Sequence, residues 1–507
     1  MAKSIMVLGT MSSAGKSLIT AGLCRIFMQD GYRVAPFKAQ NMSLNSFVTR
    51  DGLEMGRAQV MQAEACKIEP DVRMNPILLK PNSETGSQVI LNGRVMGNMT
   101  ATQYYKNKSS FIPEIRKAYQ SLADEYDIIV LEGAGSPAEI NLKSVDIVNM
   151  GMAEISDSPV ILVGDIDRGG VFASLYGTIA LMDEDEKKRF KGLIINKFRG
   201  NPDILQSGLD MIEELTNVQV LGVVPYMKNL GIDDEDSLSD KLTNKKVSGI
   251  IDIAVIKLEH ISNFTDFNAV DMFDNVSVRM VETAKELGTP DLIIIPGTKS
   301  TISDLQKIRK NGLEAEIIKA HEKDIPILGI CGGFQILGKK ISDPMKVENP
   351  HNITIDGMGL LDIETIFSVT KNLNRMNGKI AIIGGIFESL GGMDISGYEI
   401  HMGETKVTGE NINPFTIRED HVINGLANAE CNVFGTYIHG FFDRNMVAVQ
   451  LVKALKMKKG IIRQEDEEQD IDWEKHKQSE YDRIADCLRR SLDIEKIYEI
   501  IFPEKTI

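Results

Sequence analysis

Short apolar runs recur along the first half of the chain, and each is followed by polar or glycine-rich residues. Runs of this length between turn-forming residues predict buried strands, and the segment from Leu18 to Asp30 has the apolar spacing of a helix. Strands that alternate with helices predict a mostly parallel sheet with right-handed crossovers. The predicted strands of this half are residues 4–8, 34–38, 127–131, 159–164, 192–200 and 218–226.

The alternation starts again after an acidic stretch at residues 233–240, which we interpret as a loop that leads out of the first domain. New apolar runs at 251–256, 291–295 and 325–330 predict a second sheet. Residues 446–507 combine helical spacing with dense charge, which indicates a solvated helical tail that packs on one domain. We therefore expect two doubly wound α/β domains and a helical tail, with the bounds 1–247, 248–445 and 446–507.

A glycine- and serine-rich loop, residues 9–17, lies between the first predicted strand and the first predicted helix. It ends in Gly15-Lys16-Ser17, which is the sequence and context of a phosphate-binding P-loop. In such a loop, N–H groups at the helix start cradle phosphates, Lys16 reaches the β- and γ-phosphates, and Ser17 holds Mg²⁺. The loop has one residue more than the standard pattern, and the alternative is a chance Gly-Lys-Ser at a helix start.

Polar side chains follow other strands of this half at their carboxyl ends, where open α/β sheets bind ligands. Lys38 is a candidate for contact with an acidic substrate or a phosphoryl group, and Glu132 for a Mg²⁺ ligand. Asp165 and Arg168 suit phosphate or metal binding, and Asn196 suits a nucleotide base. The alternative interpretations are a solvated lysine, a capping acid and a structural ion-pair turn.

A single thiol stands at a predicted strand–turn–helix junction in the second half. Cys331 follows the apolar run 325–330 directly, and Gly332 and Gly333 come next. This order predicts a nucleophile elbow, in which glycines allow a tight turn and the helix start favours a thiolate. A buried structural cysteine in a glycine-rich turn is the alternative.

A nucleophilic thiol needs a base, and two histidines are candidates. His439 follows an apolar strand-like run, which places it to meet Cys331 across a sheet, while His401 is the rival that spacing alone leaves open. A thioester mechanism also needs an oxyanion hole. The natural donors are the N–H of Gly332 and an N–H of the turn at Gly297.

Composition narrows the class of protein. The 507 residues carry a net charge of −15, which argues against a general binder of nucleic acid or anionic membranes. The five cysteines are scattered without a CxxC pair, so neither a zinc ribbon nor a disulfide framework is indicated. No signal-peptide pattern and no apolar run of membrane-spanning length is present, so we expect a cytoplasmic protein without membrane insertion.

With a phosphate loop and a Cys/His pair on one chain, the sequence resembles the cobyric acid synthase family, glutamine-dependent amidotransferases of cobalamin biosynthesis. The first half is similar to dethiobiotin-synthetase-type P-loop domains, which share the longer loop, and the second half to class I glutamine amidotransferase domains. The resemblance rests on residues 9–17, 38–46, 54–62, 132–142, 164–173, 196–200, 296–301, 329–338, 398–403 and 435–443.

The resemblance implies that Cys331 attacks glutamine and releases ammonia, while ATP and Mg²⁺ activate a corrin carboxylate as an acyl phosphate that ammonia converts to an amide. Four carboxylates (b, d, e and g) of adenosylcobyrinic acid a,c-diamide would be amidated to give adenosylcobyric acid. It also implies that His439, not His401, is the base. The usual triad glutamate position holds Phe441, so Asp443 or a Cys/His dyad remain as alternatives.

The implied partners are a corrinoid and glutamine, without nucleic acid, and a homo-oligomer is left open. The nearest rival is cobyrinic acid a,c-diamide synthase, which has the same plan; the segments Asn41–Met42 and 165–170 favour cobyric acid synthase. A P-loop regulatory or partitioning ATPase is disfavoured by Met11, because that group usually has a lysine in that part of the loop, and by the glutaminase-like half, which has no role there. A cysteine hydrolase would leave the P-loop without a role.

Overall fold

The computed structural model describes residues 2–83, 86–228, 230–232, 249–349, 352–443, 445–462 and 472–503. The predicted domain boundary near residue 248 and the acidic loop 233–240 lie outside these residues. Contacts divide the chain into two compact units. The first comprises Met1–Ser43, Leu53–Asp236 and Lys477–Ile507, and the second comprises Leu44–Gly52 and Ser237–His476.

The first unit is built on a six-stranded parallel sheet, as the sequence predicted. Its central strand leads into the P-loop, and its interior positions are apolar and fully buried. Across the sheet the strands are Val220–Pro225, Phe190–Phe198, Val160–Asp165, Lys3–Gly9, Ile128–Glu132 and Val34–Phe37.

Helices and short 3₁₀ turns connect these strands. Glu54–Gly56 is a short strand, and a helix begins directly after it at Arg57. The helices are Lys16–Gln29, Arg57–Ala65, Ala101–Asn107, Ile112–Glu125, Met150–Ser156, Val171–Ala180, Glu184–Lys187 and Gln206–Thr216, with 3₁₀ turns Val72–Met74, Lys108–Phe111, Ile140–Val145 and Pro202–Leu205.

A smaller sheet of the first unit was not predicted. Its strands are Gln40–Met42, Ile77–Ser83, Gly86–Leu91 and Arg94–Thr100. The last strand is largely exposed, and its apolar residues form no run of strand length, so it lacks the signal on which strand prediction depends.

The second unit contains a nine-stranded mixed sheet. Its first five strands are parallel: Val276–Val281, Ile251–Ile256, Leu292–Ile295, Ile327–Ile330 and Val433–Thr436. The sheet continues through antiparallel strands, which the sequence did not predict: Ile423–Asn428, Ile412–Arg418, Asn372–Ile380 and Asp394–His401.

Further elements of this unit surround the parallel strands. A four-stranded sheet comprises Ile353–Asp356, Lys340–Asp343, Ile363–Ile366 and Glu404–Val407, and Ser46–Val48 is a further short strand. The helices are Ala284–Leu287, Thr301–Lys310, Leu313–Glu322, Gly332–Leu337 and Asn445–Lys458, with 3₁₀ turns Phe264–Phe267 and Gly385–Leu390.

The C-terminal residues are helical, as predicted, and their apolar positions are buried more deeply than a solvated tail packing on one domain would require. The helices are Trp473–Ser491 and Ile494–Ile501. Within the first unit, Tyr481 and Leu488 are fully buried, and buried Arg25 pairs with Asp482 at 2.8 Å. The dense charge that suggested a solvated segment thus lies beside an apolar face that completes a core.

None of the helices in the described ranges is both long enough and apolar enough to cross a membrane.

Candidate functional site

A cavity of about 700 Å³ opens at the carboxyl edge of the six-stranded sheet. Lys16, Ser17, Lys38 and Glu132, all predicted from the sequence, line it together. They come from two strand ends and the P-loop helix, which is the convergence expected at the carboxyl edge of a parallel sheet.

The P-loop has the backbone that phosphate binding requires. Gly15 has φ 90°, in the left-handed region that favours glycine, and the helix begins at Lys16. The Lys16 ammonium donates to the carbonyl oxygens of Met11 at 2.9 Å and Gly135 at 3.1 Å, which holds it over the loop. The helix start and this cation together form an anion-binding end.

Asn196 lies against the P-loop. Its Nδ2 donates to the Ala14 carbonyl oxygen at 2.9 Å, and a Cβ on Gly15 would come within 2.1 Å of that nitrogen. The asparagine therefore supports the loop backbone, and the predicted contact with a nucleotide base stays a prediction.

Glu132 is the buried centre of the cavity wall. Its Oε1 accepts hydrogen bonds from the Ser17 hydroxyl and the Lys38 ammonium, each at 2.8 Å, and its Oε2 accepts from Gln62 at 2.5 Å. Burial is the largest effect and opposes ionisation, but Lys38 and Gln62 lower the pKa of Glu132 below its usual value. An ionised carboxylate beside a hydroxyl is an oxygen-ligand set that fits Mg²⁺.

Asp165 and Arg168 form an ion-pair turn, which was the alternative interpretation of this segment. Asp165 is buried and accepts hydrogen bonds from the Asp167 N–H at 2.9 Å and Lys197 Nζ at 3.1 Å, while exposed Arg168 lies 3.7 Å away. Lys197 Nζ also donates to the Ser13 carbonyl oxygen at 2.6 Å. Among the described residues that line the cavity, neither member of the pair occurs, so a role in binding phosphate remains a prediction.

The predicted nucleophile elbow is present in the second unit. Cys331 follows the strand Ile327–Ile330 with φ 51° and ψ −108°, a strained conformation for a non-glycine residue. The turn is tight, because a Cβ on Gly333 would lie 2.0 Å from the Ile295 carbonyl oxygen. The Cys331 thiol is buried, with its Sγ 3.4 Å from the Ile400 carbonyl oxygen.

His439 is the histidine that meets this thiol. The strands before Cys331 and His439 are hydrogen-bonded neighbours, with Ile330 opposite Thr436. The buried His439 side chain interacts electrostatically with Cys331, and its Nδ1 lies 2.8 Å from Asp266 Oδ2. The three side chains thus form a Cys–His–Asp line at the carboxyl edge of the sheet.

The charge of Asp266 controls the ionisation of His439. Burial is the largest effect and disfavours the cation, but the charge of Asp266 and the interaction with Cys331 raise the pKa of His439 to about 10. Asp266 Oδ1 also accepts the Gly440 N–H at 2.9 Å, which fixes the carboxylate on both oxygens. This arrangement holds one histidine tautomer and stabilises its protonated form.

The rival candidates from the sequence occupy other positions. His401 stacks on Tyr437 with ring centres 3.8 Å apart and lines a separate cavity of about 230 Å³. Its Nδ1 faces the Gly403 carbonyl oxygen at 3.0 Å. Since Asp266 takes the Nδ1 position of His439, Asp443 is not the carboxylate that orients this histidine.

The turn expected to supply the oxyanion hole lies beside His439. A Cβ on Gly297 would come within 2.7 Å of His439 Cε1, and a Cβ on Gly332 within 2.7 Å of the Thr298 side chain. Buried Asp304 accepts a hydrogen bond from Thr298 and faces His260, which braces the turn. Because a side chain at either glycine would clash with these neighbours, the space beside His439 stays open. The role of the two N–H groups in an oxyanion hole remains a prediction.

Asp266 is the functional residue that sequence reasoning missed. It lies on the 3₁₀ turn Phe264–Phe267, 173 residues before His439. The available signal was its place after the strand Ile251–Ile256, whose carboxyl end shares an edge with those before Cys331 and His439. Residues next to His439 in the sequence carry no signal for this contact.

Two family models match the chain. A CobQ/CobB/MinD/ParA nucleotide binding domain matches residues 5–239, and a CobB/CobQ-like glutamine amidotransferase domain matches residues 252–447. The first range contains the cavity with the P-loop, and the second contains the Cys–His–Asp line.

Curated relatives are similar over the whole chain. A cobyric acid synthase of Ruminiclostridium cellulolyticum is 54% identical, covering 99% of this chain and 97% of the relative. That of Lachnoclostridium phytofermentans is 52% identical with 99% of both chains covered, and that of Streptococcus sanguinis 50% with 100% of both.

Proposed function

The chain belongs to the cobyric acid synthase family, and from this premise we propose that it amidates the b, d, e and g carboxylates of adenosylcobyrinic acid a,c-diamide. Glutamine is the nitrogen donor, ATP is the activating substrate and adenosylcobyric acid is the product. The observation that carries the proposal is the Cys331–His439–Asp266 line on a chain that also holds an ordered P-loop cavity.

Glutamine hydrolysis follows from the geometry in the second unit. The Cys331 sulfur attacks the side-chain amide carbon, and His439 transfers a proton to the leaving nitrogen, which departs as ammonia. Water then hydrolyses the thioester to give glutamate and the free thiol. Asp266 keeps Nδ1 of His439 hydrogen-bonded, so that the other ring nitrogen serves the reaction, and Gly297 and Gly332 supply the oxyanion N–H groups.

Amide formation belongs to the cavity of the first unit. A substrate carboxylate attacks the γ-phosphate of ATP, which gives ADP and an acyl phosphate; ammonia then displaces phosphate and loses a proton to leave the amide. Lys16 and the helix start bind the transferring phosphates, and Lys38 stabilises the added negative charge. Ser17 and Glu132 would hold Mg²⁺, which neutralises phosphate charge when bound.

Three wider properties belong to the same proposal. The family assignment supports a cytoplasmic enzyme, and the net charge of −15 supports one without nucleic acid as a partner. A homo-oligomer is compatible with it. Gel filtration with light scattering would give the oligomeric state.

Mass spectrometry of corrin products tests the function. With ATP, Mg²⁺ and glutamine we expect four amides to be added to the a,c-diamide. Cobyrinic acid a,c-diamide synthase, which the names of the relatives do not favour, would instead add two amides to cobyrinic acid. No amide on either acid would reject both functions.

The Cys331→Ala variant tests the two-site mechanism. We expect it to lose amidation with glutamine and to retain amidation with ammonium salts, because the thiol serves only the release of ammonia. Loss of both activities in a folded variant would contradict separate sites.

A further inference from the structure

A buried lysine that the proposed mechanism does not use lies in the wall of the P-loop cavity. Lys108 is only 5% exposed, and it begins the 3₁₀ turn Lys108–Phe111. Its ammonium makes no hydrogen bond and no ion pair with any residue that the structure describes. The contact that it has is with the Tyr105 ring, whose centre is 5.5 Å from Nζ. A buried cation is normally paired with an anion. The Lys108 ammonium, unpaired among the described residues, therefore indicates that a bound ligand supplies the anion.

The other lysines around the cavity differ from Lys108 in this respect. Four of the described residues that line it are lysines. Lys16 is held by carbonyl oxygens, Lys38 pairs with Glu132, and Lys143 pairs with Asp183 and Glu186. Asp146 is near enough to favour the charge of Lys108 electrostatically, but burial is the larger effect and lowers the pKa of Lys108.

The position of Lys108 is fixed by its neighbours. The preceding helix Ala101–Asn107 starts with a capping box between Thr100 and Gln103. Tyr104 donates a hydrogen bond to Gln40 Oε1 at 2.8 Å, and its ring stacks on Phe111. Lys108 is therefore held in place before any ligand arrives, which lowers the entropic cost of binding.

The rim of the same cavity suits an apolar, acid-bearing molecule. Met42 is 59% exposed and Tyr105 is 37% exposed, and both line the cavity. Exposed apolar side chains next to a buried cation match a flat macrocycle whose edge carries carboxylates. The nucleotide phosphates already have Lys16 and the helix start, whereas Lys108 comes from a different segment of the chain.

We propose that the Lys108 ammonium binds the acceptor substrate, first the peripheral carboxylate that is to be amidated and then the acyl phosphate formed from it. This inference rests on the proposed function and adds a binding residue to it. The ammonium replaces water around the carboxylate and remains paired as the charge grows on phosphorylation.

The test compares Lys108→Met with Lys106→Met, which removes an exposed lysine two positions away on the preceding helix. Amidation of adenosylcobyrinic acid a,c-diamide is measured with ammonium salts, which makes the rate independent of glutamine hydrolysis. For Lys108→Met we expect kcat/KM for the corrinoid to fall at least about 30-fold, as for loss of one partner of a buried charge pair. The KM for ATP should stay within about twofold, which also shows that the first unit is folded. Lys106→Met should match the wild type.

Three results would count against this role of Lys108. An unchanged kcat/KM for the corrinoid in Lys108→Met overturns it, and so does a raised KM for ATP, which would assign the cation to the nucleotide. In Lys108→Met, inhibition by the product adenosylcobyric acid should change little, because the corresponding groups of the product are amides. If product inhibition weakened as much as kcat/KM for the corrinoid fell, that result would also overturn the proposal. If the wild type does not amidate the corrinoid at all, the proposed function itself fails, so the two failures are distinguishable.

Discussion

The acid–base chemistry of His439 depends on the carboxylate of Asp266. Asp266→Asn keeps the shape of the side chain but removes the negative charge. That charge orients the His439 imidazole and favours its protonated form. Loss of the orienting acid in such an arrangement lowers kcat by several orders of magnitude, and we expect glutaminase kcat to fall at least about 10²-fold. Amidation with ammonium salts should be unchanged, and both rates can be measured on one preparation.

Asp443→Asn is the matched control for that prediction. Asp443 lies two positions after Phe441, which holds the usual triad position, and it is close to Gly440 rather than on Nδ1 of His439. We expect this variant to keep most of its glutaminase activity. The reverse ranking of the two variants would show that Asp443 is the third member and that Asp266 is structural.

The raised pKa of His439 also makes folding stability depend on pH. An unfolded chain gives histidine a pKa of about 6.5, whereas the folded value is about 10. The charge of His439 therefore contributes stability in full below about pH 6.5, and this contribution is lost as pH rises through about 10. We expect the free energy of unfolding of the second unit to fall between pH 7 and 10, as measured by urea titration of Trp473 fluorescence.

Trp473 is suited to this measurement because it is the sole tryptophan of the sequence and is buried in the core of the second unit. Asp266→Asn supplies the comparison, since it removes the charge that raises the pKa of His439. Its stability should depend less on pH over this range. If the free energy of unfolding changed with pH equally in the wild type and in Asp266→Asn, the pH dependence could not be assigned to His439.

At the scale of elements, the sequence was most informative where a strand is buried on both faces. The six strands of the first sheet, including Lys3–Gly9 and Ile128–Glu132, each contain a short apolar run and were all predicted. The exposed strand Arg94–Thr100 and the antiparallel strand Asn372–Ile380 have no such run and were missed. Amphipathic helices near the C-terminus were predicted, but periodicity does not say which core receives the apolar face.

The same limit applies to the candidate sites. Gly15, Lys16 and Ser17 lie together in sequence, so one motif predicted them, and Cys331 was predicted from its own strand and turn. Asp266 contacts His439 through tertiary structure alone, because the strands that precede them are not adjacent in the sheet. Local spacing carries no information about such a pair.

The C-terminal helix provides a prediction at this scale. Leu488 is fully buried in the core of the first unit, where a Cβ on Gly22 would lie 2.3 Å from its Cδ1. Leu488→Ala should destabilise this unit by about 2–5 kcal/mol, as for other buried leucines. Leu215→Ala, at a 64% exposed leucine on Gln206–Thr216, should change stability by less than about 0.5 kcal/mol. Equal effects in calorimetry would show that Leu488 contributes no more to stability than an exposed leucine.

At the scale of the whole molecule, the two chemistries are carried by different units, and Lys16→Ala separates them. The Lys16 ammonium lies over the P-loop of the first unit, so its loss should abolish ATP-dependent amidation with glutamine and with ammonium salts alike. Glutamine hydrolysis should persist, because Cys331 and His439 belong to the second unit. Lys117→Ala, at an exposed lysine on Ile112–Glu125, is the control and should retain both activities. Since each activity is measured separately, amidation that survives in Lys16→Ala would reject the phosphate-loop assignment while leaving the glutaminase site intact.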